Sequence, residues 1–365
     1  MGLYNKFAVT CVSTIKAIRL SIISLFKIIL FYSPSESKKI LINRDGAFGD
    51  SVVVVPALSI IRQHFPDSQI DLISVADGGI SIGNIGLEPG IIDNFYIIKK
   101  DQRRETLAKL KHNQYDYFIQ MPQNIGLYKS IRNMILVRFY LNIKSAIGWD
   151  HGRIKIFMRQ QKMFMDTPNE TQRFITNLEK EGIKGKVNYP LTTKKPDNSK
   201  INNLLDHDKL IAFIIGGKIQ PKKWPLDYWV RLATLIGNEH MILIIGGEAE
   251  YEEANHICAI TNNTNNLCGK LAIPELTYVL EQVNLAISLD TGARHLCDAV
   301  NTKSIVLLST RELTNKWFPT NRDSIIIEKV LPCSFCLKTR CENNLCMTTI
   351  LPEEVYDKAS KLLAN

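Results

Sequence analysis

The chain has 365 residues, 45% of them hydrophobic and 22% charged, with eight cysteines and a formal net charge of +9. That is enough apolar material for two globular domains of ordinary size, and it excludes a disordered chain. The positive balance favours anionic partners, but the basic residues are spread too evenly along the sequence to mark a nucleic-acid surface.

Residues 1–37 form an amphipathic, basic extension. Phe7, Cys11, Ile15, Ile18, Ile22, Leu25 and Ile29 recur at spacings of three and four, which on a helix makes one apolar stripe, with Lys6, Lys16, Arg19 and Lys27 on the other side. A spanning helix needs about 20 mainly apolar residues, and the charges at Lys16, Arg19 and Lys27 argue against one. A secretory signal is not expected either, because its apolar core would be uninterrupted and followed by small residues, whereas this segment runs into Phe31-Tyr32-Ser33-Pro34. The pattern predicts a helix lying in a membrane interface over residues 3–32, with basic side chains toward anionic headgroups. The protein would then be cytoplasmic and peripheral on the inner face of the cell membrane. A helix packed on the body of the protein is the alternative.

Residues 38–195 read as a first α/β domain. Lys39 to Ile42 is a buried strand, followed by a loop holding Arg44-Asp45-Gly46-Ala47-Phe48-Gly49-Asp50 and then a helix to about His64. Apolar runs at Ile70 to Ser74, Phe95 to Ile98 and Tyr117 to Gln120 complete the alternation of a parallel sheet wrapped by helices. Gly49 permits a tight turn, and Asp50 at a helix N-terminus is placed either to accept a proton as a general base or to cap the helix. The three-glycine dinucleotide fingerprint is absent.

From Gly182 to Asp208 the composition turns to Lys, Asn, Pro and Thr, which predicts a linker; Asp206-His207-Asp208 within it reads as solvated loop rather than a metal site. A second alternating domain follows over residues 205–365. Leu210 to Ile215 is a strand, and Gly216-Gly217 then precede Lys222-Lys223-Trp224-Pro225. Glycines allow close backbone approach and the lysines offer point charges for a diphosphate. Helix, strand (Met241 to Ile245), Gly246-Gly247-Glu248 and a helix from Glu250 to Ile260 come next. Thr261 to Asn266 reads as a surface turn, followed by a helix around Pro274 to Gln282.

The strand Leu285 to Leu289 then runs into Asp290-Thr291-Gly292-Ala293-Arg294-His295-Leu296. A helix that starts at such a turn carries unpaired N–H groups and a partial positive charge, so Thr291 and Gly292 suit a phosphate. Asp290 could accept from a sugar hydroxyl; an ordinary Asp-Thr helix cap fits the same residues. Cys11, Cys258, Cys268 and Cys297 read as small apolar residues of a reducing compartment. Cys333, Cys336, Cys341 and Cys346 have the count of a tetrahedral zinc site near a final helix, though only the first pair has the usual spacing. Structural metal, reduced thiols and disulfides all stay open.

Taken in order, Arg44 with Gly49-Asp50, Lys222-Lys223-Trp224-Pro225, Gly246-Gly247-Glu248 and Asp290-Thr291-Gly292 with His295 resemble glycosyltransferase family 9, which contains the lipopolysaccharide heptosyltransferases. The resemblance extends over residues 38–360. It implies a GT-B fold, two Rossmann-like doubly wound domains with an interdomain cleft. It also implies an inverting, metal-independent transfer from a nucleotide-sugar donor, ADP-heptose or a related one, to a lipopolysaccharide-type or other glycan or glycolipid acceptor, with no catalytic cofactor. By matching positions, Asp50 resembles the general base, with Arg44 and Gly49 on the acceptor side. Lys222 resembles the donor-phosphate lysine, with Gly216 and Gly217 beside it; Glu248 and Asp290 resemble nucleoside contacts, and Thr291, Gly292 and His295 surround the diphosphate. The chain departs from the family pattern at Lys218, Ile219, Arg294, Cys297-Asp298 and Ser309. A protein that binds a sugar nucleotide without transferring it is the alternative.

Overall fold

The computed structural model describes residues 18–32, 37–75, 82–99, 101–122, 126–149, 169–312 and 314–364. The stripe positions Phe7, Cys11 and Ile15, with Lys6 and Lys16, therefore lie outside the described residues. The chain divides into two units, Met1–Asp166 with Glu170–Pro190, and Thr167–Asn169 with Leu191–Asn365.

In the first unit, β1 (Lys39–Asn43), β2 (Gln69–Val75), β3 (Asn94–Ile98), β4 (Tyr117–Gln120) and β5 (Ser145–Ile147) form one sheet in the order β3-β2-β1-β4-β5. All the pairings are parallel. A parallel sheet needs crossover connections that cover its faces, so its inner strands are apolar throughout rather than alternating. Ile40, Leu41 and Ile42 of β1 are fully buried, each such side chain contributing about 1.5–3 kcal/mol over exposure.

Residues 18–30 are helical (α1). One face packs inward: Ile23, with Phe26 and Leu30, joins a cluster in which Trp149 stacks on Phe31 at 5.2 Å and on Phe118 at 5.5 Å. The opposite face leaves Ile18, Leu25 and Ile29 exposed. The helix is thus packed on the body of the first unit and carries an outward apolar stripe. Lys27, expected to face headgroups, is instead ion-paired with Glu181.

The helix expected from Asp50 to His64 is two helices, α2 (Phe48–Val52) and α3 (Val55–His64). Pro56 has no N–H to give to Val52, so the first helix ends and a second starts with proline in its first turn. Further along lie α4 (Arg103–His112), α5 (Leu127–Ile135) and α6 (Glu170–Lys180). A five-residue π-helical turn, Leu136–Tyr140, extends α5.

The second unit has β6 (Leu210–Ile214), β7 (Met241–Ile245), β8 (Thr264–Asn266), β9 (Leu285–Leu289), β10 (Ser304–Leu308) and β11 (Ile325–Glu328) in the order β11-β10-β9-β6-β7-β8. These pairings too are parallel. Its helices are α7 (Ser199–Leu205), α8 (Leu226–Ile236), α9 (Tyr251–Ile260), α10 (Ile273–Gln282), α11 (Gly292–Ala299), α12 (Leu345–Thr348) and α13 (Pro352–Leu363). Two expectations change here. The linker contains α7, whose N-cap Asn198 accepts from the amides of Lys200 and Ile201; with Ile201 its one buried residue, composition alone hid it. The turn expected at Thr261 to Asn266 ends in the edge strand β8, held by its ladder with β7 rather than by apolar content.

Each sheet grows outward in both directions from its first strand, which creates a switch point between β1 and β4 and between β6 and β9. Ligands of such sheets bind outside the carboxyl ends of the strands at that point.

Candidate active site

In the second unit, the residues following β6 and β9 flank the switch point. Lys222 ends a short 3₁₀ turn, Gln220–Lys222, after β6, and Asp290 follows β9. Lys222 Nζ lies 2.7 Å from Asp290 Oδ2, with the side chains 15% and 12% exposed. Burial works against the ammonium, but Asp290, and beyond it Glu312, outweigh that and raise the Lys222 pKa. Asp290, expected to accept from a sugar hydroxyl, thus accepts from Lys222. Lys223 turns the other way, toward Glu253 at 2.8 Å.

Thr291 is the N-cap of α11 by position, yet its side chain makes no capping bond and its Oγ1 is buried without a partner among the described residues. The Asp-Thr cap is therefore not formed, and the first-turn amides keep the donor capacity and partial positive charge of a helix start. His295 is 5% exposed on the next turn, edge-on to Trp317 at 5.8 Å. Arg294 Nη2 sits 2.7 Å from His295 Nδ1. The same Nη2 lies 3.1 Å from Nε2; a guanidinium only donates, so one ring nitrogen accepts and the imidazole is neutral. Burial first, then Arg294 and Lys222, hold the His295 pKa well below its usual value.

Arg294 and Asp298, both departures from the resembled pattern, are partners: Nη1 meets Oδ2 at 2.7 Å, with the side chains 0% and 4% exposed. Burial pushes the Asp298 carboxyl up against the pull of Arg294. Arg294 also donates to the Trp317 carbonyl, and Asp298 takes the amides of Thr320 and Asn321, which fixes the 317–321 loop against α11.

Gly216 and Gly217 follow β6 and approach Glu250 and Lys223. Glu248 is exposed on the turn after β7. The neighbouring Glu250, which the sequence reading passed over, is the buried carboxylate and accepts from the Gly247 amide at 3.0 Å.

In the first unit, Asp50 is half-buried at the start of α2 and its Oδ2 accepts from the Ala47 amide at 3.0 Å. The capping role is therefore present, and it orients the carboxylate. The turn depends on Gly46, since a Cβ there would lie 2.5 Å from the Asp50 Cβ, whereas Gly49 lies within α2. Arg44, expected on the acceptor side, is 1% exposed. It donates to the carbonyls of Met121 at 3.1 Å and Asp50 at 2.6 Å and lies over the Phe174 ring. It fastens the β1 loop to the end of β4.

Among the described residues no three His, Cys, Asp or Glu side chains converge to hold a metal ion. Cys333 is exposed, while Cys346 packs at the edge of the core near Ser309. Arg311 and Glu312, after β10, also join the Lys222 surroundings. Their signal was that β10 repeats the buried pattern of β6 and β9, a strand the sequence reading left out.

The family model described as "Glycosyltransferase family 9 (heptosyltransferase)" matches residues 103–346. The chain belongs to glycosyltransferase family 9. Among its relatives is lipooligosaccharide heptosyltransferase 2 of Campylobacter jejuni, 23% identical over 90% of this chain and 99% of that protein. A glycosyltransferase family 9 crystal structure from Veillonella parvula superposes with a TM-score of 0.69 at 18% identity, covering 91% of this chain and 99% of that one. The structure of the E. coli ADP-heptose LPS heptosyltransferase II gives 0.65 at 17% identity, covering 89% and 98%. This family 9 chain is a glycosyltransferase of GT-B fold, with its two parallel sheets as the Rossmann-like halves.

Proposed function

We propose that this family 9 transferase moves a heptose from ADP-heptose to a lipopolysaccharide-type glycolipid in an inverting step that calls on no metal. Asp50 takes the proton of the acceptor hydroxyl as that oxygen attacks the anomeric carbon. Negative charge develops on the departing diphosphate. Lys222 and the first amides of α11 supply fixed positive potential there, where preorganised donors lower the barrier most. Asp290 keeps Lys222 charged and in place, and His295 stays neutral beside the Arg294 guanidinium.

One observation carries the reading: the Lys222–Asp290 pair lies beside the uncapped start of α11, at the switch point of the second sheet. The named ADP-heptose enzyme among the structural relatives supports the choice of donor. The test is ADP release from ADP-heptose in the presence of a heptose-deficient lipooligosaccharide. Asp50→Ala is expected to lower the rate by about 10²–10⁴ with an unchanged circular dichroism spectrum. Full activity in that variant removes Asp50 as the base.

The acceptor's lipid places the reaction at a membrane, and two elements of the first unit suit one. Ile18, Leu25 and Ile29 of α1 are 55%, 55% and 69% exposed, and residues 1–32 contain no Asp or Glu. On α5 and its extension, Tyr128, Ile135 and Phe139 are exposed at helical spacing beside Lys129 and Arg132. No helix among the described residues is long and apolar enough to cross a membrane. Contact is therefore expected at the inner face of the cell membrane, with apolar side chains in the interface and basic ones toward anionic lipid. Flotation with phosphatidylglycerol vesicles of the full chain but not of a chain starting at Ser37 is the expected result; equal flotation removes the role of the extension.

A further inference from the structure

The four-cysteine segment has so far no part in the reaction. We infer that residues 333–350 are a strap that sets the position of Lys222, with Asn344 and Gln220 as positioning residues; this rests on the donor-site reading above.

The sheet order places β9 between β10 and β6, so Asp290 and Thr291 emerge between the loops that follow those two strands. One end of the strap is fastened to the loop after β10. The Phe335 amide donates to the Thr310 carbonyl at 2.6 Å, and Thr310 Oγ1 meets Ser334 Oγ at 2.8 Å. Buried Arg311 donates to the carbonyls of Lys338 at 2.7 Å and Leu337 at 2.9 Å.

The other end is fastened to the loop after β6. The Cys341 amide donates to Gln220 Oε1 at 3.0 Å. Asn344 Nδ2 donates to the Lys223 carbonyl at 2.9 Å, and Trp224 Nε1 donates to the Ile350 carbonyl at 2.9 Å. The strap therefore holds residues on both sides of Lys222, and it passes from the β10 loop to the β6 loop between Lys338 and Cys341.

The shape of the strap is set by backbone as well as bonds, since Phe335, Leu337 and Asn344 have φ of 62°, 55° and 40°. Left-handed conformations at Phe and Leu persist only where the surroundings impose them, whereas Asn adopts them with little cost. Asn344 is itself buried.

A strap that fixes both flanks of Lys222 keeps its ammonium on Asp290 and aimed at the donor phosphates. Asn344→Gly keeps the left-handed backbone and removes the amide donor, while Gln220→Ala removes the second bond from a more exposed position. The first readout needs no ligand: acetylation of the full chain by limiting acetic anhydride, followed by mass spectrometry. Each variant is expected to raise Lys222 labelling about fivefold to tenfold, the equivalent of one lost hydrogen bond, with exposed Lys209 unchanged. The second readout is ADP affinity by calorimetry, expected to weaken by the same factor and to show no further loss when either change is added to Lys222→Ala. Unchanged Lys222 labelling, or an equal rise at Lys209, overturns the strap whatever ADP does. A wild-type chain that fails to bind ADP while the labelling rises as expected overturns the donor-site reading and leaves the strap standing.

Discussion

Replacing Arg294 by Met tests whether the ion pair behind His295 holds the start of α11 together. The guanidinium is fully buried and its partner carboxylate is 4% exposed. Without it, Asp298 keeps the Thr320 amide at 3.1 Å and the Asn321 amide at 3.3 Å, while the Trp317 carbonyl loses a donor at 2.6 Å. Removing one partner of a buried pair costs about 3–5 kcal/mol; the two remaining amides place this case near the lower end, about 3 kcal/mol. With a urea m-value of about 2 kcal/mol/M, the unfolding midpoint of the second unit should fall by about 1.5 M. Intrinsic tryptophan fluorescence follows the transition. Lys329→Met serves as the control, since it also removes one positive charge but from a pair with Glu354 in which both side chains are about one-third exposed; its cost should stay below about 1 kcal/mol. Equal midpoints for the two variants would refute the argument.

Three further outcomes are expected. The His295 pKa is depressed in the folded chain, so below about pH 6.5 the unfolded state binds more protons and stability falls as pH drops, by at most about 1.4 kcal/mol per pH unit from this residue. His295→Gln should flatten that slope in urea unfolding between pH 5 and 7, and an unaltered slope contradicts a buried neutral histidine. Gly148 has φ +97°, and a Cβ there would lie 1.9 Å from the Gln120 carbonyl oxygen; Gly148→Ala should cost more than about 3 kcal/mol or prevent folding of the first unit. Lys222→Ala should lower the transfer rate by about 10²–10³, and a change confined to the acceptor KM would place Lys222 elsewhere in the reaction.

The buried strands were readable because a parallel sheet leaves uninterrupted apolar runs: Lys39 to Ile42, Leu210 to Ile215 and Leu285 to Leu289 each proved to be a strand. β8 was not, because an edge strand of Thr and Asn is held by ladder bonds that carry no apolar signature. At the site, the order of motifs located the loops, while the role of each side chain depended on contacts across the chain. Arg44 reads as an acceptor-side residue in the motif order and is buried against two carbonyls. Arg294 and Asp298 looked like separate departures and are one i,i+4 ion pair. The partnership of Asp290 with Lys222 joins residues 68 positions apart, a separation at which local pattern says nothing.

The central claim, an adenosine diphosphate donor held by Lys222 and the start of α11, is tested most directly by thermal shift of the full chain against ADP, UDP, GDP and CDP. At about one hundred times its Kd, ADP should add about 2.7 kcal/mol and raise the midpoint by about 5–10 °C, and Lys222→Ala should cut the shift at that concentration to about 1 °C. A shift with another nucleotide and none with ADP, or an ADP shift undiminished by Lys222→Ala, would contradict the account.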